Sequence, residues 1–163
     1  ELEEAIKLAF NYDTKVIIEE EVKGRELEVS VLGNDEPVAS VPGEVKTKHE
    51  FYDYEAKYVD ESGAVLEIPA KLQSGKVTEI QRLAVKTFKV LECCGMARID
   101  MFMRPNGQLV INEINTLPGF TNISMYPKLW EASGLPYAKL LDKLIGLAIE
   151  KKRQRDKLKR SYN

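Results

Sequence analysis

Apolar and polar positions along this chain repeat in two periods, and the change from one to the other lays out its elements. Val16 to Ile18 and Leu27 to Leu32 carry the β-branched alternation of strands and are joined across Lys23, Gly24 and Arg25. A further strand is predicted around Val38 to Val41, after a turn at Gly33 to Pro37. From Pro42 to Pro69 the pattern loosens into glycine, aromatic and charged residues, too irregular for a packed helix and long enough for a functional loop. Val77, Ile80, Ala84, Phe88 and Leu91 then recur at helical spacing, with Gly95 placed to end that helix. A short helical segment is predicted from Tyr126 to Ala132. Tyr137, Leu140, Leu141, Leu144, Ile145, Ala148 and Ile149 outline a longer amphipathic helix, and the charged run from Lys151 to Arg160 continues it as a solvated end. The coarse result is an α+β fold, an antiparallel sheet with helices on one side.

Between these helices lies the segment with the most chemistry. Arg98 to Met103 and Ile111 to Asn115 both alternate like strands, and Arg104 to Gly107 between them is turn chemistry, since Pro105 presets one φ while Asn106 and Gly107 tolerate positive φ. With Arg104 opposite Gly107, Arg98 faces Glu113, Asp100 faces Ile111, and Asp100 and Glu113 become diagonal neighbours at ~7–8 Å. That separation suits carboxylates bridged by a hard cation, with Asn115 adding a neutral oxygen. The same alternation describes the wet face of an ordinary antiparallel sheet with an Arg98–Glu113 surface pair, and spacing alone leaves a calcium site open as well. The following loop, Asn115 to Met125 with Pro118 and Gly119, turns the balance toward a site. It runs into a helix, where free backbone N–H groups can meet an anion.

Bulk properties narrow the partners. The chain has 163 residues, 44% apolar, enough for one domain with a real core. A formal net charge of −2 offers no general attraction to nucleic acid or anionic membrane, so a small-molecule partner is expected. No apolar run reaches the roughly 18 residues that span a bilayer and no secretory signal is evident, which predicts a cytoplasmic protein. Cys93 and Cys94, the two cysteines, read as buried thiols on a helix rather than as a disulfide or zinc signature. His49, the single histidine, reads as a surface residue. In the loose loop, Lys57 stands among Phe51, Tyr52, Tyr54 and Tyr58, more aromatic surface than a solvated loop needs, and a lysine there can close over transferred phosphate.

The order Arg98-x-Asp100, Glu113-x-Asn115, Pro118-Gly119 and Ser124-Met125, preceded by the Phe51 to Tyr58 run, resembles the C-terminal ATP-grasp region of the D-alanine:D-alanine ligases. The likeness runs from about Val16 to about Ile149 and rests on several separated motifs. It implies an ATP-grasp C-terminal domain over residues 1–163. The amino-terminal and central domains of the full enzyme are not in this sequence, which opens at Glu1 in a helix already under way. The implied reaction is ATP-dependent ligation of two D-alanines through an acyl phosphate for peptidoglycan synthesis, this part being inactive alone. Another ATP-grasp ligase, such as a D-alanine:D-lactate enzyme, or a non-catalytic nucleotide- or cation-binding module are the alternatives.

The resemblance also assigns roles. Two Mg2+ ions, or Mn2+ in their place, would be held by Asp100, Glu113 and Asn115, with Glu113 bridging them. Arg98 and the Gly119 N–H would hold the tetrahedral oxyanion, and Ser124 and the Met125 backbone the carboxylate of the second D-alanine. Glu19, with the backbone from Glu20 to Val22, would meet the adenine edge, Glu26 the ribose hydroxyls and Phe102 the adenine ring. Lys57 would reach the phosphates from a covering loop in which Tyr58 is the D-alanine-type residue. The full-length relatives imply a homodimer. On the residues' own reading, Glu19 to Glu21 is a solvated charge run, Phe102 a core residue and Ser124 a helix cap.

Lys57 gives the first prediction. In a full-length ligase carrying this domain, Lys57→Ala should lower kcat by more than it raises KM for ATP, because the contact forms chiefly when the loop closes on reacting substrates. Losing one such charge-assisted contact should cost about 2–4 kcal/mol in the transition state. Steady-state kinetics decide it: a raised KM with kcat unchanged would make Lys57 a ground-state anchor.

Overall fold

In the computed structural model, residues 1–47, 64–121 and 123–159 are described. β1 (Arg25–Gly33) and β5 (Gly95–Met103) run antiparallel along their whole lengths, from Arg25 opposite Met103 to Gly33 opposite Gly95. They form the middle of a sheet ordered β4 (Ala64–Glu67), β3 (Gly43–Thr47), β1, β5, β6 (Leu109–Asn115), with β2 (Val38–Ala39) on the far end of β1. Alternate residues of the two central strands point to one face: Leu27, Val29 and Val31 from β1, Ala97, Ile99 and Met101 from β5, all wholly buried. Helix α2 (Ser74–Val90) covers them with Ile80, Ala84 and Phe88, spaced four residues apart and therefore on one side of the helix.

The opposite face is covered at one end only. Leu32 packs with Tyr126, Trp130 and Leu140, and Val45 with Met125 and Leu129. These helical residues come from α3 (Met125–Ala132) and α4 (Tyr137–Asp156). Two hydrogen bonds fasten α3 to β1: Ser30 Oγ donates to the Tyr126 carbonyl at 3.2 Å and Tyr126 Oη to the Val31 carbonyl at 3.0 Å. Helices therefore flank both faces, not one as the pattern suggested. Leu32 and Val45 alternate away from α2 and need a cover of their own.

Two further differences concern strands. Val16 to Ile18 forms no strand, and none of the described strands pairs with it; Ile17 and Ile18 are exposed, as is most of the preceding α1 (Leu2–Ala9), which buries no residue. Conversely, the segment read as one loop from Pro42 contains β3 (Gly43–Thr47) and β4 (Ala64–Glu67), paired antiparallel. Charge hid them. Glu44 lies directly opposite Glu67, an unfavourable like-charge pair. Arg25 offsets it by forking onto Glu44 at 2.8 and 2.6 Å, and Lys46 and Lys71 by pairing with Glu67 at 2.7 and 2.6 Å. Hydrogen bonds from Lys46 and then Lys71 hold the Glu67 carboxyl down to about 2.

α2 also ends earlier than Gly95, which instead opens β5. Glu92 takes a left-handed φ of 52°, its N–H donates to the Lys89 carbonyl at 3.1 Å, and Cys93 N–H donates to the Phe88 carbonyl at 3.0 Å. Those two bonds satisfy the last carbonyls of the helix and turn the chain into β5. Cys93 is half-buried and Cys94 exposed, both beyond the helix, so the expectation of buried helical thiols does not hold. Among the described residues no helix is long and apolar enough to cross a membrane.

Only glycine adopts φ near +52° without a Cβ penalty, so Glu92→Gly should raise the unfolding free energy by about 0.5–1 kcal/mol. Urea unfolding of the two proteins checks this, with an unchanged slope expected; a loss of stability would mean that the Glu92 side chain outweighs its backbone cost.

Candidate active site

The site begins with the turn between β5 and β6 (Leu109–Asn115). Gly107 N–H donates to the Arg104 carbonyl at 2.8 Å, Arg104 N–H donates to the Gln108 carbonyl at 2.9 Å, and Gly107 has φ +82°. This is a three-residue loop, Pro105 to Gly107, closed by a left-handed glycine. It was expected to place Gly107 opposite Arg104, and the extra residue shifts the register by one. Met103 faces Leu109, Phe102 faces Val110 and Met101 faces Ile111. Lys76 Nζ, donating to the Gly107 carbonyl at 2.9 Å, pins the turn to α2.

A bulge then shifts the register once more. Beyond it Asp100 faces Glu113, Ile99 faces Ile114 and Arg98 faces Asn115, with Asn112 the additional residue on β6. Asp100 and Glu113 are thus directly opposite rather than diagonal, and Arg98 faces Asn115 rather than Glu113. The bulge decides which way Glu113 points. Continued without a break from the turn, the pairing would set Asp100 against Asn112 and turn Glu113 toward the α2 face. With it, Ile111 and Ile114 both pack on the apolar core.

Three rows of residues cross β1, β5 and β6 on the face away from α2. They are Ser30, Arg98 and Asn115; Glu28, Asp100 and Glu113; and Glu26, Phe102 and Val110. Arg98 grips Asp100 through a bidentate fork, Nε to Oδ1 and Nη2 to Oδ2, both 2.7 Å, and its Nε also lies 3.0 Å from Glu28 Oε2. Asp100 is 1% exposed and Glu28 8%. Burial works against the Arg98 charge, but the hydrogen bond to Asp100 and the charges of Glu28, Asp100 and Glu113 outweigh it and raise its pKa further. The guanidinium is a permanent cation facing Asn115 beside an exposed Glu113.

Asn115 Oδ1 accepts the Leu117 N–H at 3.2 Å, which starts the loop to α3. Pro118 is buried and Gly119 exposed. A Cβ on Gly119 would lie 2.9 Å from Ser124 Oγ, so a larger residue there would have to displace that hydroxyl from its bonds to Thr121. Ser124 stands at the N-cap of α3 without capping it. Its Oγ accepts the Thr121 N–H at 2.9 Å and bonds Thr121 Oγ1 at 2.8 Å, which tightens the loop instead. The Met125 side chain belongs to the Val45 cluster, leaving its backbone for any ligand contact.

The structure therefore brings Arg98, Asp100, Glu113 and Asn115 onto one face, with Glu26 and Phe102 on the adjoining row. Val22 is half-buried, while Glu19 and Glu20 are exposed on the extended stretch leading to β1, where Glu20 pairs with Arg104. Lys57, Tyr58, His49 and Phe51 to Tyr54 lie outside the described residues. Glu28 was missed by the sequence reading, although its spacing from Glu26 on a predicted strand put both on one face. Among the described residues no group of three or more His, Cys, Asp and Glu side chains could hold a metal ion. Two facing carboxylates and an amide nonetheless suit a hard dication that keeps water or phosphate oxygens as its other ligands. Arg98 uses one lone pair on each Asp100 oxygen and leaves the others.

Comparison with known proteins shows the family. The family described as D-ala D-ala ligase C-terminus matches residues 1–146. The D-alanine–D-alanine ligase of Oceanobacillus iheyensis is 57% identical over 157 residues, which cover 96% of this chain and 43% of that protein. The VanG D-Ala:D-Ser ligase structure from Enterococcus faecalis superposes with a TM-score of 0.80 at 43% identity, covering 90% of this chain and 42% of that one. The D-alanine–D-alanine ligase of Bacillus anthracis complexed with ATP gives a TM-score of 0.78 at 30% identity, covering 94% and 49%. The chain spans less than half the length of the curated relatives it matches.

Replacing Arg98 by methionine would strand two buried carboxylates. Arg98→Met should therefore cost about 3–5 kcal/mol of stability, as removing one partner of a buried ion pair does. Denaturant unfolding measures it, and a cost below about 1 kcal/mol, the range of surface pairs, would show that water reaches Asp100 and Glu28 freely.

Proposed function

The chain belongs to the D-ala D-ala ligase C-terminus family, and we propose that it supplies the nucleotide, cation and acceptor face of an ATP-dependent ligase that joins two D-alanines. The observation that carries this reading is the Asp100–Glu113 pair with Arg98 forked beside it, next to the Gly119 loop. In the proposed reaction the γ-phosphoryl group of ATP passes to a carboxylate oxygen of the first D-alanine, and ADP is left. The amine of the second D-alanine attacks the resulting acyl carbon, loses a proton, and inorganic phosphate departs as the peptide bond forms.

Each residue has a physical reason for its part. Arg98 is charged at any working pH and held between buried acids, so it stands ready for the oxyanion that exists only during the attack, together with the exposed Gly119 N–H. Ser124 and the Met125 backbone, at the start of α3, would take the carboxylate of the second D-alanine, where helix N–H groups are unpaired. Phe102 would lie against the adenine ring and Glu26, in the same cross-strand row, would accept from the ribose hydroxyls. Glu19, Glu20 and Val22 would line the adenine edge, and Lys57 and Tyr58 the covering loop. Asp100, Glu113 and Asn115 would hold magnesium ions, which when bound neutralise phosphate charge. A cytoplasmic location, a homodimer and a division of the active site with upstream domains complete the proposal.

The acceptor has a second reading. The similarity to a D-Ala:D-Ser ligase shows that this architecture also serves a serine acceptor in that protein, so competition between D-alanine, D-serine and D-lactate for one acyl phosphate is the measurement that fixes the substrate.

Glu113→Gln tests the metal assignment, since it removes one charge and keeps the shape. In a full-length ligase carrying this domain, turnover should fall on the order of 100-fold or more while circular dichroism stays unchanged. Wild-type turnover by the folded variant at ordinary magnesium concentration would refute the role given to Glu113.

A further inference from the structure

Resting on the reading of Asp100 and Glu113 as cation ligands, we infer that Glu28 is a positioning residue, the counter-ion that receives Arg98 when Asp100 turns toward the cation. The observation is one guanidinium placed between two buried acids. Arg98 Nε lies 2.7 Å from Asp100 Oδ1 and 3.0 Å from Glu28 Oε2, while Nη2 holds Asp100 Oδ2 at 2.7 Å. The Nε–H thus donates to Asp100, while Glu28, which faces Asp100 across β1 and β5, lies within ion-pair distance of the same nitrogen.

A carboxylate gripped by a full guanidinium charge in a buried site is a poor metal ligand, because the cation must compete with the arginine for the same electrons. Glu28 offers Arg98 Nε a second acid at 3.0 Å. It is 8% exposed and stands on the strand next to Asp100, so transfer of the Nε hydrogen bond from one acid to the other needs a small side-chain rotation and no movement of the sheet. It also keeps the guanidinium compensated afterwards, when Asp100 gives its charge to the cation; a buried arginine left without a carboxylate would oppose metal entry at once. Glu44, another buried acid of the same sheet, has no such part, since it alternates to the other face and is engaged by Arg25. Partners of this kind, one step behind the ligands, set metal affinity.

The test titrates Mn2+ into a full-length ligase carrying this domain in the presence of ADP, with bound and free ion distinguished by electron paramagnetic resonance. Glu28→Gln is expected to weaken Mn2+ binding about 10-fold and to raise the half-saturating Mg2+ concentration for turnover by a similar factor. KM for ATP at saturating Mg2+ should stay within about twofold, because uniform nucleotide binding is untouched. Glu28→Asp, which keeps the charge one methylene further back, should fall between the two. Wild-type Mn2+ affinity in folded Glu28→Gln overturns the inference. Should that variant not fold, Glu28→Asp decides alone, and wild-type values for both Mn2+ affinity and Mg2+ requirement overturn it. Glu113→Gln in the same titration separates the two levels: Mn2+ affinity unchanged there sinks the ligand assignment itself, whereas affinity lost there and kept in Glu28→Gln sinks only the role of Glu28.

Discussion

Asp100 lies at the centre of the sheet with 1% of its surface exposed, and a carboxylate taken so far out of water must be paired and hydrogen-bonded or it does not stay charged. Much of the site answers that constraint. Arg98 supplies the fork two residues away on the same strand, where alternation returns to the same face. Arg98 is itself largely buried and would be overcompensated or undercompensated by the wrong number of acids. Glu28 and Glu113 on the flanking strands bring three carboxylates around one guanidinium, a surplus of negative charge that a divalent cation would balance.

The sheet separates two tasks by parity. On β1 and β5, residues of one parity are largely apolar and lie under α2; those of the other are polar in the middle, with Leu32 and Met96 apolar where α3 and α4 cover them and Phe102 apolar toward the other end. Stability is drawn from the first set, and the candidate site lies on the second. A face that is half dry and half wet is unusual for a central strand pair, and it explains why β1 reads Leu27-Glu28-Val29-Ser30-Val31-Leu32, with the polar residues buried among apolar neighbours.

How much of this was legible follows from where the information resides. The α2 stripe, the β1 and β5 alternations and the hairpin turn are local patterns, and each formed within a few residues of its predicted bounds. The direct Asp100–Glu113 pairing was not legible, because it depends on a three-residue turn and a bulge at Asn112, and neither leaves a periodic trace. The two register shifts are opposite in effect on facing and so kept Glu113 on the expected side, though not in the expected row. β3 and β4 escaped because their alternation is written in Glu44, Lys46 and Glu67 and is held by ion pairs. Val16 to Ile18 has the composition of a strand, yet a strand exists only with a neighbour to share its hydrogen bonds, and none of the described strands provides one. The cysteines were misplaced for a simpler reason, since a left-handed Glu92 ends the helix where a glycine would normally be sought.

The two hydrogen bonds that join α3 to β1 fix the helix from below, at Ser30 and Val31, while the loop that carries Gly119 enters from β6 on the other side of β5. The loop is thus a span between two independently anchored piers. Its length can change without disturbing either support, because closing a somewhat longer span between fixed ends costs little entropy. The loop is therefore free to lengthen, whereas the acid row beside it, woven across three strands, has no comparable freedom.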